Sequence, residues 1–289
     1  MSKVAKLWKE RIMEGVFLIA ALTSILSVFL ICLFLFVNGI PSMAKIGVFN
    51  FLLGTEWAPT DSPASFGIFP MILGSLYVTA GAIIIGVSIG LFTAIFLAKF
   101  CPERIHRVLK PAVDILAGIP SVVYGFFGIV VMVPFVRNYF GGSGSSILTA
   151  SVLLGIMILP TIIGVAESAI RAVPESYYEG ALALGATHER GVFFAVLPAA
   201  TSGIMAGVVL GIGRAIGETM AVILVAGNQA RMPTGILGGI RTLTANIVLE
   251  MGYAADLHRE ALIATGVVLF VFILMINLLF SLLKRRQAR

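Results

Sequence analysis

The most informative shortage in this sequence is charge. Only 12% of its 289 residues are Asp, Glu, Lys or Arg, whereas 59% are hydrophobic and the mean hydropathy is +1.05. An ordinary soluble domain carries about 25% charged residues. The chain therefore has too little charge to coat a water-soluble globule, which excludes a soluble fold and predicts that its apolar surface faces lipid.

Cysteine and histidine are also scarce. The two cysteines, Cys32 and Cys101, lie in an apolar run and beside a basic loop, which excludes a disulfide framework. The three histidines, His106, His188 and His258, are scattered and lack the spacing of metal ligands. We expect this chain to bind neither a metal nor a cofactor.

A nucleotide-binding loop is missing too. The sequence contains no Gly-Lys pair, so the P-loop motif G-x-x-x-x-G-K-[ST] cannot occur. The glycines of Gly211–Gly217 do not form a dinucleotide fingerprint, because the third comes one position late and the segment lies within an apolar run. If ATP drives this system, another chain hydrolyses it.

Long apolar runs are abundant. About 20 helical residues cross the hydrocarbon core of a bilayer, and the sequence predicts an all-α membrane protein with six such spans. The predicted spans are Val16–Val37, Met71–Ala98, Ile115–Val136, Ile147–Ala166, Ala199–Ala226 and Ala261–Leu283. The first is too long for the apolar part of a signal peptide, and we expect it to be an uncleaved anchor.

The basic residues predict the orientation of the chain. Fourteen of the 20 Lys and Arg residues fall before the first span, in the gaps 99–111 and 171–198, and in the tail after residue 283. Five fall in the opposite gaps. Because cytoplasmic loops carry the excess of Lys and Arg, both termini are predicted to be cytoplasmic. The basic excess is then an orientation signal and does not indicate nucleic-acid binding.

The 171–198 loop predicts two short helices on the cytoplasmic face. Pro174 suits the first turn of a helix over 175–184, and Gly185 suits its end. Thr187 can cap a second helix, which we expect to end at Leu197-Pro198. A plain connector resting on the membrane is the alternative interpretation of this loop.

The same loop resembles the "EAA" loop of permeases in binding-protein-dependent ABC importers. The resemblance is carried by Glu179-Gly180-Ala181, then Gly185, then Leu197-Pro198. The spacing matches that family, although Gly180 and Ala195 replace its usual Ala and Ile. The resemblance implies that this loop docks into a groove on a separate ATPase subunit, with Ala181 and Gly185 allowing close approach.

The fifth span carries a charged pair, Arg214 and Glu218. On a continuous helix, Gly203, Gly207 and Gly211 would share one narrow face with these two charges. Charges within a span are costly and should face protein or water. One interpretation is an Arg–Glu pair that joins two helices. The other is an anion site on a translocation pathway, in which Arg214 binds an oxyanion and Glu218 orients or gates it.

Two further strings resemble the phosphate permeases of the ABC importer family. They are Gly211–Val222 with Val225–Asn228, and Leu116–Gly125 in the third span. The Ala226-Gly227-Asn228 ending is more similar to the PstC-type than to the PstA-type subunit. The resemblance implies a type I (MetI-like) transport core over 70–283. An N-terminal segment, 1–69, precedes this core, and a basic tail, 284–289, follows it.

The resemblance also implies the partners. They are a homologous PstA-type permease, two PstB-type ATPases that use ATP and Mg, and an extracytoplasmic phosphate-binding protein. The location implied is the inner membrane of a prokaryotic cell. Sulfate or molybdate as the cargo, an intramembrane enzyme and a scaffold without transport are the alternatives. The enzyme lacks support because no span contains a Ser/His or paired-Asp arrangement.

Two smaller expectations concern structural residues. Glu167 and Arg171, spaced i, i+4, predict an ion pair near the cytoplasmic end of the fourth span. Trp57 in the long gap 38–70 is expected at the level of the lipid headgroups.

Overall fold

The computed structural model describes the backbone of residues 3–287 and the side chains of residues 9–279 and 282. Helix accounts for 79% of the chain. In the described part, six helices are long and apolar enough to span a membrane. They are Lys9–Ile46, Phe69–Phe100, Ser121–Phe140, Ile147–Arg171, His188–Gly217 and Asp256–Leu279. The predicted all-α fold with six spans is confirmed.

Three long helices lie close to their predicted spans. Helix α1 covers Lys3–Ile46, and the short helix α2 covers Val48–Leu53. Helix α3 covers Phe69–Ile95 and continues through a π-helical turn, Phe96–Phe100. The sixth span lies in a later helix, Asp256–Gln287.

The third span begins later than predicted. Helix α4, Glu103–Gly118, ends before Pro120, and helix α5 runs over Ser121–Phe127. A π-helical turn, Gly128–Met132, then leads into α6, Val133–Phe140. The expected start at Ile115 is wrong because proline disfavours the helical conformation of the residue before it, and Ile119 is extended (φ −70°, ψ 127°).

The fourth span, α7 (Ile147–Arg171), is the centre of the bundle. Its N-cap Ser146 accepts a hydrogen bond from the Thr149 amide. In its most apolar stretch 67% of the residues are buried, against 33% or fewer in the other spans. Helix α3 packs closely on it, since a Cβ at Gly155 would lie 3.1 Å from Ile85.

The remaining elements follow α7. They are α8 (Glu175–Ala183), α9 (His188–Gly191), a π-helical turn (Val192–Val196), α10 (Leu197–Gly217), α11 (Met220–Val225), α12 (Leu243–Glu250) and α13 (Asp256–Gln287). We call the side of the bundle that carries residues 47–67 and 226–255 the outer face. The side that carries α8 is the inner face.

Helix α1 lies at the periphery. Its most apolar stretch has no buried residue. It packs on α13 through an edge-to-face contact between Phe36 and Phe270, with ring centroids 5.8 Å apart. Lys45 also pairs with Glu260 at 2.8 Å. The boundaries 1–69, 70–283 and 284–289 stay predictions.

The outer face contains a small hairpin and a buried carboxylate. Strands β1 (Trp57–Ala58) and β2 (Ser65–Phe66) pair antiparallel. The Trp57 indole donates to Glu250 Oε2 at 2.8 Å, and His258 Nε2 lies 2.8 Å from the same oxygen. Arg241 donates to the other oxygen, Oε1. Trp57 is only 8% exposed, so its ring packs within the protein, and its position at the level of the headgroups stays a prediction.

Candidate functional site

The fifth span is broken at its charged residue. Helix α10 ends at Gly217, Glu218 is extended (φ −69°, ψ 132°) and α11 begins at Met220. The expected continuous helix Ala199–Ala226 is therefore wrong, and Glu218 does not continue the face that carries Arg214. Gly217 favours the end of the helix because glycine is a poor helix former. The backbone amides and carbonyls that lose their helical partners at the break have other hydrogen-bond partners.

Those partners come largely from Glu218 and its neighbours. Glu218 Oε1 accepts hydrogen bonds from the backbone amides of Thr219 (3.0 Å) and Ala221 (3.2 Å). Thr219 Oγ1 donates to the Gly217 carbonyl at 3.2 Å. A break within a span is tolerated when the backbone groups it frees are satisfied by such contacts. Glu218 thus acts as a cap for α11.

Arg214 lies in the last turn of α10 and is half-buried. One guanidinium nitrogen, Nη1, donates to Thr161 Oγ1 of α7 at 3.3 Å. Among the described residues, no carboxylate lies within 4.0 Å of this guanidinium. The predicted Arg214–Glu218 pair is not formed, and most of the forked donors of Arg214 are left for another partner.

The predicted glycine face of α10 does pack on another helix, and that helix is α7. A Cβ at Gly207 would lie 3.1 Å from Val165 Cβ, and one at Gly211 would lie 2.9 Å from Ile162 Cγ1. Small residues of this kind let two membrane helices approach closely. The contact places Arg214 beside the middle of α7.

Helix α11 is held against α5. A Cβ at Gly125 would lie 2.6 Å from Leu224 Cδ1 and 3.0 Å from Ala221 Cα, so a larger residue here would require Leu224 and the α11 backbone to shift. The Tyr124 hydroxyl donates to the Leu116 carbonyl at 2.8 Å, which ties α5 to the end of α4. The third span, which begins directly after the interruption at Pro120, and the broken fifth span therefore meet at the candidate site.

One residue that contacts this site was not predicted from the sequence. Thr244 at the start of α12 donates to the Glu218 carbonyl at 3.1 Å, across 26 positions of the chain. It links the break to the outer face, where Arg241 and Glu250 flank the same helix. A long-range contact of this kind has no local signature in a single sequence.

On the inner face, the helix over the first half of the 171–198 loop is confirmed. Gly185 has φ +85°, and its amide donates to the Leu182 carbonyl at 2.9 Å, as at a helix C-terminus. The side chain of Thr187 accepts from the Arg190 amide, as expected of a cap. Glu179 and Gly180 are exposed, and Ala181 is half-buried.

The second half of the loop differs from the prediction. The helix that starts at His188 does not end at Leu197-Pro198 but continues as the fifth span to Gly217. Pro198 stands in the first turn of α10, directly after the π-helical turn, where its missing N–H is tolerated. Helix α8 is joined to this span by Tyr178, whose hydroxyl lies 2.7 Å from His188 Nδ1.

The fold and site define a class of protein: a multi-pass helical membrane subunit with a broken fifth span and an exposed helix on its inner face. Residues 86–289 match the family model "Binding-protein-dependent transport system inner membrane component", and the chain belongs to this family. It is therefore an ABC importer permease, a transport component and not an enzyme.

Individual relatives agree with this assignment. The chain is 40% identical over 260 residues to the "Probable ABC transporter permease protein YqgH" of Bacillus subtilis, covering 87% of this chain and 84% of that one. It is 35% identical over 263 residues to the "Phosphate transport system permease protein PstC" of Mesorhizobium japonicum, covering 84% and 80%.

Two solved structures share the fold. One is an inward-facing MetNI methionine ABC transporter, with a TM-score of 0.62, 21% identity, and coverage of 76% of this chain and 97% of that one. The other is a bacterial alginate ABC transporter in complex with a periplasmic protein, with a TM-score of 0.65, 18% identity, and coverage of 97% and 98%.

Proposed function

We propose that this chain is a PstC-type subunit of an ATP-driven importer and that it translocates inorganic phosphate delivered by an extracytoplasmic binding protein. The observation that carries the proposal is the half-buried Arg214 guanidinium, which has a hydroxyl partner but, within the part of the chain that the structure describes, no carboxylate within 4.0 Å. The relatives named PstC support phosphate as the cargo.

The geometry suits a transient anion site. A guanidinium presents forked donors that match a tetrahedral oxyanion. Because Glu218 Oε1 is occupied by the amides of α11, it does not neutralise Arg214. One arginine with a threonine hydroxyl beside it binds weakly, and weak binding allows the anion to leave. Glu218 contributes to the same pathway by stabilising the break between α10 and α11.

The inner face provides the coupling. We place the ATPase contact on Glu179, Gly180, Ala181 and Gly185, with Leu197-Pro198 passing movement into the fifth span. The helix from His188 to Gly217 supports this role, because it carries Arg214 near one end and contacts α8 through Tyr178 and His188 at the other. The partners are a PstA-type permease and two PstB-type ATPases, which use ATP and Mg. Both termini are cytoplasmic.

Transport by the purified complex tests the cargo. The complex is reconstituted into vesicles with its binding protein and internal ATP, and uptake of radiolabelled phosphate is measured against unlabelled sulfate and molybdate. We expect phosphate uptake to depend on ATP. A tenfold excess of sulfate or molybdate should change the rate of phosphate uptake by no more than about twofold. Uptake of sulfate or molybdate in preference to phosphate would overturn the assignment of phosphate as the cargo. The assignment of the chain as a permease would still hold.

A further inference from the structure

Helix α4 has two dissimilar sides. At 100° per residue, five apolar side chains fall within about 120° of one another. They form what we call the α4 stripe: Ile105, Val108, Leu109, Ala112 and Ile115. His106 and Lys110 project about 120–160° from the centre of this stripe.

The polar side of α4 faces the protein. Glu167 of α7 is only 5% exposed in its side chain, and His106 Nε2 lies 2.8 Å from its Oε1. Lys110 Nζ lies 3.6 Å from its Oε2. Arg171 completes the cluster at 3.0 Å, which confirms the predicted Glu167–Arg171 pair. These ion pairs fix the rotation of α4 about its axis.

The apolar side therefore points away from the chain. Val108 is 70% exposed and Ile115 is 68% exposed, and no residue of α4 is buried. An amphipathic helix normally turns its apolar side to the core. This one does the opposite, so its stripe requires an apolar environment outside the chain.

The depth of α4 indicates what that environment is. Lys110 Nζ would lie 3.9 Å from a Cβ at Gly164, and His106 contacts Glu167. These positions of α7 precede its last residue, Arg171, by seven and four residues, or about 10 and 6 Å along the helix. An interfacial helix buries its apolar face about 5–10 Å into the headgroup and acyl boundary.

We infer that α4 is an interfacial helix whose stripe is embedded in the lipid surface and whose arginines bind anionic lipid headgroups. Arg104 and Arg107 are exposed and project about 80° and 140° from the centre of the stripe, and Arg107 Nη2 also lies 3.3 Å from Glu103 Oε1. Exposed arginines on the polar part of such a helix complement lipid phosphates. The apolar surface also continues along the chain into the third span, where Val123 and Phe126 are 53% and 65% exposed.

Spin labels test which environment the stripe has. Full-length chain with Cys32 and Cys101 replaced by serine receives a single cysteine at Val108 or Ile115. It is purified with its co-purifying subunits and reconstituted into phosphatidylcholine vesicles, with or without phosphatidylglycerol. Accessibility to oxygen and to a water-soluble nickel chelate is then measured. Control labels sit at Ile84 of α3 (70% exposed) and Leu184 after α8 (91% exposed).

The stripe labels should behave like Ile84, with high oxygen accessibility and chelate accessibility several-fold below that of Leu184. Protection from both reagents would show that another polypeptide, such as a second permease, covers the stripe, and would overturn the inference. Chelate accessibility equal to that of Leu184 would also overturn it, since the stripe would then face water.

The arginines are tested in the same vesicles. Phosphatidylglycerol should lower chelate accessibility at Val108 at least twofold, and the double variant Arg104→Gln/Arg107→Gln should abolish this difference. The Ile84 label should be unaffected, which shows that the chain is still folded. A lipid dependence that survives the double substitution would contradict headgroup binding by these arginines.

Discussion

At the scale of single residues, Arg214 and Glu218 have separate tasks. Arg214 donates to Thr161 on α7, whereas the Glu218 carboxylate accepts from two backbone amides of the next helix segment. The residue types were predictable because charges are rare within spans. Their division of labour was not, since a helical projection assumes a helix that stays continuous.

The capping role of Glu218 predicts different effects of two substitutions. Glu218→Gln keeps a side-chain oxygen that accepts from the Thr219 and Ala221 amides, whereas Glu218→Ala removes it. We expect Ala to cost about 0.5–2 kcal/mol of stability, as for other lost caps, and Gln to cost less. Thermal unfolding of the purified complex in detergent measures both. Equal losses would show that the negative charge, rather than the cap, stabilises the break.

At the scale of elements, the number of spans followed from hydropathy, and the caps of α8 and α9 followed from Gly185 and Thr187. The breaks did not follow as readily. Helix α4 ends before Pro120 because proline disfavours a helical conformation of the preceding residue. The sequence is apolar on both sides of this point, so hydropathy does not reveal the end of the helix. Pro198 has the opposite effect, because a π-helical turn before it lets the helix continue. Local rules therefore did not predict which proline ends a helix and which one lies within a continuing helix.

Helix α8 offers a matched pair of glycines. Gly185 has φ +85°, where an alanine costs about 1–2 kcal/mol, or about 5–30-fold in the population of the correct loop. Gly180 is in open space, where alanine restores the usual residue of the family motif. Gly185→Ala should reduce ATPase co-purification several-fold, and Gly180→Ala should not. Unchanged co-purification of the ATPase with both variants would contradict a role of α8 in ATPase binding.

At the scale of the whole molecule, the hydrogen bonds around Glu250 on the outer face could not be predicted from the sequence. Trp57 and Glu250 are 193 positions apart, and their 2.8 Å hydrogen bond joins segments that the second to fifth spans separate in the chain. Nothing in either segment predicts the other. The family resemblance, by contrast, was recognisable, because the EAA spacing and the Gly211–Val222 and Leu116–Gly125 strings are local patterns.

The orientation of the whole chain is open to a direct test. In a chain without Cys32 and Cys101, a single cysteine at Gly142 should react with a membrane-impermeant maleimide in intact cells. One at Leu184 should react only after the membrane is opened. Both positions are in exposed loops on opposite sides of the bundle. The reverse pattern would place both termini outside.

The central claim is that Arg214 binds the transported anion. The most direct measurement is ATP-driven uptake of radiolabelled phosphate by complexes carrying Arg214→Gln, with Arg11→Gln on the peripheral α1 as the matched control. Losing a charge-assisted hydrogen bond of about 1.5–3 kcal/mol predicts uptake roughly 10–100-fold lower for Arg214→Gln, with assembly unchanged. The control should transport normally. Full phosphate uptake by a correctly inserted and assembled Arg214→Gln complex would contradict the account.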